Sequence, residues 1–236
     1  MASTGDSIYA QNAGWTFGGD VPEHFEDHVS KSVPLYEEGH DLVLKIADFF
    51  VDDRSVCYEL GCSTAALTRK LAERNARRRT RFIGVDIEES MTQKAAELSA
   101  GLPNVSIVTA DVLDFDFEPA DLIIAYYTVQ FVRPRHRQQL IDRVYESLNW
   151  GGAFLLFEKV RGPDARFQDL FTALYTDYKL DRGYGPDEIV GKARSLKGVL
   201  EPFSSQGNLD LLRRAGFVDI TTVMKYVCFE GFLAIK

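Results

Sequence analysis

The chain has 236 residues, 45% of them hydrophobic, and a formal net charge of −8. That length fits one α/β domain with additions, and no apolar run approaches the ~20 residues that span a bilayer. An acidic chain also lacks the clustered Lys and Arg that nucleic acids and anionic membranes recruit, so neither is expected as a partner.

The opening MASTGDSIYAQNAGWTF does not follow the charged-then-apolar pattern of a signal peptide, and three cysteines make no disulfide framework. A cytoplasmic protein with reduced thiols is expected. Residues 1–54 hold WTF, SVPLY and an amphipathic helical pattern, and are predicted to cap the ligand. From residue 55 onward, apolar strands alternate with helical patterns in the rhythm of a parallel sheet with helices on both faces. Strands are predicted at 55–60 (SVCYEL), 81–86 (RFIGVD), 105–110 (VSIVTA), 121–127 (DLIIAYY) and 153–159 (AFLLFEK).

Helices fall between them at STAALTRKLAERNA, MTQKAAELSA and PRHRQQLIDRVYESL. In the last, Leu140, Ile141, Val144 and Leu148 recur at helical spacing, and Gly151 and Gly152 follow as C-cap residues. The basic run from Arg74 to Arg81 sits between a helix and a strand, where arginine favours the helix C-terminal dipole, and it is assigned no partner. Residues 160–210 read as an aromatic-rich helical lid, and the final stretch as two strands closing the sheet edge. The expected fold is therefore a Rossmann-like, doubly wound α/β sheet, mostly parallel with an antiparallel edge strand, in one domain spanning 1–236.

In open α/β sheets the ligand lies beyond the carboxyl ends of the strands, where strand order reverses. The first such end carries a lone glycine, Gly61, followed by Cys62 and Ser63, which lets backbone approach a ligand beside the amides of a helix start. The second carries Asp86 and Ile87, an acid suited to two ribose hydroxyls. The third carries Asp111 and Val112, whose carboxylate and amide suit the amino and ring nitrogens of adenine. One glycine suffices where no pyrophosphate must fit, and two acids disfavour phosphate. The inferred ligand is a nucleoside with an amino acid at its 5′ position, which describes S-adenosylmethionine (SAM). No metal is called for.

The motifs WTF, SVPLY, LGCS, TVQF, LNWGG, FEK, DYKLDRGY and RRAGF occur in order along over nine-tenths of the chain. On these the chain resembles the class I SAM-dependent methyltransferase superfamily and, within it, the carboxy-SAM synthases. The resemblance implies SAM contacts at Tyr36, Gly61, Cys62, Ser63, Asp86, Ile87, Asp111 and Val112, and a homodimer. Two departures stand out. Where the family has an arginine for the carboxylate of the carboxylated cofactor, this chain has Leu211. Where the family has asparagine before its aromatic residue and TLQF, this chain has Tyr126, followed by Tyr127.

Both departures favour SAM as a substrate over SAM as a carboxyl acceptor. An aromatic face at Tyr126 attracts a sulfonium by cation–π interaction, on the order of 1–2 kcal/mol when desolvated. The amine of SAM then attacks its own γ-carbon, giving azetidine-2-carboxylate and 5′-methylthioadenosine, with Tyr175 as transient proton acceptor. In this the chain resembles a small group of bacterial azetidine-2-carboxylate synthases. Three alternatives remain: a methyltransferase acting on a small natural-product intermediate, a carboxy-SAM synthase, and a catalytically silent SAM-binding partner. None of the four histidines, His24, His28, His40 and His136, sits at a clear catalytic strand end. Glu158 and Lys159 end the fifth strand as either a functional or a structural pair.

Overall fold

The computed structural model describes residues 2–4, 9–18 and 21–236, so residues 1, 5–8 and 19–20 of the expected cap lie outside the described residues. Seven strands form the main sheet: β3 Val56–Leu60, β4 Arg81–Asp86, β5 Val105–Thr109, β6 Ala120–Tyr126, β7 Leu148–Lys159, β8 Asp219–Tyr226 and β9 Phe229–Ile235. Ala2–Ser3 (β1) and Tyr9–Ala10 (β2) make a separate small ribbon. The main sheet runs β5-β4-β3-β6-β7-β9-β8, parallel from β5 to β7 and antiparallel over β7-β9-β8. The sheet is mixed and mostly parallel, as expected. The last two strands differ in detail: β9 lies inside the sheet and only β8 forms the edge.

The strands are apolar on both faces because helices cover both. On one side Tyr58, Leu60, Val85, Ile123, Phe154 and Leu156 pack with α5 (Pro134–Ser147) and α8 (Ser205–Ala215). On the other, Cys57, Phe82, Ile124, Leu155 and Phe157 pack with α2 (Tyr36–Ala47) and α3 (Ala66–Arg74). This alternation is the period of two that a strand imposes, and each fully buried Phe contributes roughly 1.5–3 kcal/mol.

Local chemistry sets the helix ends. Pro134 opens α5, the Ser204 hydroxyl accepts from the Gly207 amide at the start of α8, and Gly216 closes α8 at φ 119°. Gly151 and Gly152 do not cap α5. That helix ends at Ser147, the chain turns into β7 at Leu148, and the Gly151 amide donates instead to the carbonyl of Lys236. The basic run is largely tied down, with Arg74 on Asp48, Arg79 on Asp53 and Arg81 on Glu118.

Helices α1 (Val21–Ser32) and α4 (Glu89–Ser99) complete the first half. The lid consists of α6 (Ala165–Asp181) and α7 (Pro186–Ser195). The N-terminal strap is tied to the end of α7: Ala13 N–H donates to Arg194 O, and Trp15 N–H to Ser195 O. Among the described residues no helix is long and apolar enough to cross a membrane.

Candidate active site

The order of the sheet reverses between β3 and β6, and a cavity of about 1070 Å3 opens at their carboxyl ends. That exceeds the roughly 300–1,000 Å3 of ordinary small-ligand sites. All of Tyr36, Gly61, Cys62, Ser63, Asp86, Ile87, Asp111, Val112, Tyr126 and Tyr175 line it. Leu211 does not. It is 2% exposed, packed in the core where α8 meets α5, so its side chain has no route to a ligand. A leucine so packed offers a ligand carboxylate no donor.

The turn after β3 departs from the sequence expectation in a useful way. Gly61 N–H and Cys62 N–H both donate to Val85 O, and Ser63 N–H donates to the Asp86 carboxylate at 2.8 Å. Three amides of the turn are thus engaged with β4, and at the helix start expected to offer free amides Thr68 N–H donates to Glu59, which makes the turn unsuited to phosphate. Gly61 stands at φ 68°, and a β-carbon there would lie 2.4 Å from the Thr128 side chain. Thr128 in turn donates to Leu60 O at 2.7 Å, locking β3 to β6 at the switch point. Ser63 and Ala65 also take positive φ, so the turn is tightly wound. Cys62 is buried against Gly84, and burial holds its thiol in the protonated form.

Asp86 accepts from Ser63 N–H on one oxygen and from Glu88 N–H on the other, and burial raises its carboxyl above the ordinary range. Asp111 accepts from Leu113 N–H at 2.9 Å. Ile87, 67% exposed, and Val112, buried, stand beside the two acids, leaving an apolar slot between polar ends. Glu59, at the acidic end of β3 and given no role from sequence, also lines the cavity. Thr68 donates to it through both N–H and hydroxyl, yet burial lifts its carboxyl to about 7. Its position one residue before Leu60 on an apolar strand was the available signal.

The far wall is aromatic. Tyr36, Tyr126 and Tyr127 follow one another at ring separations of 5.2 and 4.8 Å, and Phe229 links Tyr127 to Tyr175 at 5.8 and 5.2 Å. Tyr126 is 7% exposed; its hydroxyl donates to Tyr36 O at 2.7 Å and its ring lies against His40 and Phe157. Most of that ring is core. The Tyr175 hydroxyl donates to Ser32 O at 2.8 Å, and burial pushes its phenol far above neutral pH, which is unfavourable for a proton acceptor. Its ring instead carries the cation–π geometry: Lys159 Nζ lies 4.2 Å and Lys179 Nζ 4.6 Å from the centroid. Lys179, within DYKLDRGY, had no signal of its own in sequence.

Among the described residues six acids and histidines line the cavity: Glu59, Asp86, Asp111, Glu201, His28 and His136. Each is already engaged, the last four by Leu113 N–H, Arg161, Lys192 and Arg135 respectively. Glu158, by contrast, points to the opposite face of β7 and does not reach the cavity, so it forms no functional pair with Lys159.

A family of methyltransferase domains matches residues 58–152. The carboxy-S-adenosyl-L-methionine synthase of Staphylococcus epidermidis is 37% identical over 223 residues, covering 94% of this chain and 97% of that protein. The enzyme of the same name from Campylobacter jejuni subsp. doylei is 37% identical over 236 residues, covering 98% and 99%. In fold, the chain is similar to human N-acetylserotonin methyltransferase solved with SAM, at a TM-score of 0.60 and 20% identity, over 86% of this chain and 52% of that one.

Proposed function

The chain belongs to the carboxy-S-adenosyl-L-methionine synthase family, on the fold of the class I SAM-dependent methyltransferases, and from that premise we propose that it consumes SAM as its substrate. Asp86 takes the ribose hydroxyls, Asp111 and the Ile87–Val112 slot take adenine, and the Gly61 turn with Tyr36 takes the amino-acid half. The reaction is intramolecular: the α-amine of SAM attacks its own γ-carbon. The N–Cγ bond forms as the Cγ–S bond breaks, and the bonding pair returns to sulfur as neutral 5′-methylthioadenosine. The amine proton leaves to solvent, and azetidine-2-carboxylate is the other product.

One observation carries this choice. Among the described residues, all six acids and histidines lining the cavity are engaged, so no carboxylate or imidazole stands free as general base for an external acceptor. A nucleophile already tethered to the electrophile needs position more than a strong base, and tethering lowers a barrier by up to ~7–11 kcal/mol. Tyr126 is proposed as the aromatic floor that fixes Tyr36 beside the sulfonium.

The second reading is carboxylation of SAM, which the names of the relatives describe. The cavity's spare volume and the Lys159–Lys179 pair favour it, while Leu211 in place of the expected arginine stands against it. The test is incubation of purified protein with SAM alone, followed by mass spectrometry. Methylthioadenosine with a four-membered cyclic imino acid supports cyclisation. SAM left intact until prephenate is added, then gaining a carboxyl group, replaces cyclisation with the second reading.

A further inference from the structure

Lys159 ends β7, where the sheet leaves the cavity floor, and Lys179 reaches down from the last turns of α6. Both side chains line the cavity and both ammonium groups approach one ring, that of Tyr175. Lys159 also lies 5.9 Å from the Phe229 centroid. Lys179 is only 8% exposed. Neither ammonium has a carboxylate or hydrogen-bond acceptor among the described residues, whereas the nearby Lys192 and Lys225 each have one.

Two cations held together at a partly buried face repel each other and lose hydration, and an aromatic ring offsets only part of that cost. The electrostatics register the conflict: burial first, and then Lys159, draw Lys179 down to about 8. An anion placed between two such donors reverses both terms, because each contact becomes a charge-assisted hydrogen bond. Glu158, next in sequence, cannot serve, since it faces the other side of β7. The neighbouring Cys228 is buried and protonated.

We propose that Lys159 and Lys179 form a carboxylate-binding subsite on the Tyr175 face, occupied by a carboxylate of the bound substrate. The inference rests on SAM being the ligand. Two sources share this chemistry: the α-carboxylate of SAM itself, folded back toward β7, and the carboxylate of a second acid lying beside SAM.

The experiment is calorimetric titration of the whole protein and of Lys159→Met and Lys179→Met with three probes: SAM, decarboxylated SAM, and malonate added to SAM-saturated protein. Thermal melts verify that each variant folds, and Lys179→Arg serves as the charge-retaining control. If SAM's own carboxylate occupies the subsite, SAM binding weakens at least tenfold in both Met variants while decarboxylated SAM changes less than twofold. If a second acid occupies it, SAM binding is unchanged and malonate binding is lost. Lys179→Arg preserves binding in either case. Parallel weakening of SAM and decarboxylated SAM overturns the proposal, as does indifference of all three probes to the lysines. Failure of SAM to bind the unaltered protein is a different result and removes the proposed function instead.

Discussion

Replacing Gly61 with alanine isolates the switch-point turn. Two costs add. The backbone sits at φ 68°, where an alanine loses about 1–2 kcal/mol relative to glycine. The new β-carbon also falls 2.4 Å from both branches of Thr128, which must rotate away and release Leu60 O, a loss of about 0.5–1.5 kcal/mol. The sum is about 1.5–3.5 kcal/mol, and at ~2–4 °C per kcal/mol for a chain of this size Tm falls by about 3–14 °C. Urea denaturation of Gly61→Ala, Thr128→Ala and the double variant separates the two costs. The double variant keeps the φ cost and sheds most of the clash, giving a coupling energy near ~1 kcal/mol. SAM affinity falls in Gly61→Ala alone by more than in Thr128→Ala. A Gly61→Ala protein within ~0.5 kcal/mol of the parent, or strict additivity in the cycle, refutes the account of why this turn has its one glycine.

Asp86→Ala weakens SAM binding itself, and an unchanged calorimetric binding constant refutes the ribose assignment. Tyr175→Phe loses the bond to Ser32 O, about 1 kcal/mol of stability, but keeps the ring and hence most of the turnover; a kcat drop of about 100-fold or more returns the phenol to a proton-transfer role. Glu59, raised from 4.5 to about 7 by burial, binds more protons folded than unfolded between those values, so its contribution makes stability decline as pH rises through that window. Denaturation midpoints at pH 4.5 and 7.5 should show that decline shrinking in Glu59→Gln; an identical pH slope in both proteins refutes it.

The parallel half of the sheet was legible because its strands are apolar on both faces and each ends in a residue of different character, as at Leu60–Gly61 and Asp86–Ile87. Arg81–Asp86 falls on its predicted bounds. The C-terminal pair was harder, since a hairpin pattern says nothing about which strand is inserted. Gly151 misled because a glycine after a helix signals a cap by frequency, whereas here it serves the junction of β7 with Lys236. The cavity residues were readable one strand end at a time. What could not be read was orientation: whether Tyr126, at the end of β6, turns to solvent or to Tyr36, and which way Leu211 on α8 faces, is fixed only by packing. The meeting of Lys159 with Lys179 joins residues of separate elements, and no local pattern encodes it.

The place of β9 has a consequence for how the sheet is assembled. It comes last in chain order, yet it lies between β7 and β8 and pairs with both. While the ribosome is still making the last strands, β7 therefore has one open flank, a row of unpaired amides and carbonyls beside Phe154 and Phe157. The parallel half can collapse early, but the sheet closes only when its final strand slides in. Trimming that strand should convert a folded sheet into one with a sticky, aggregation-prone border.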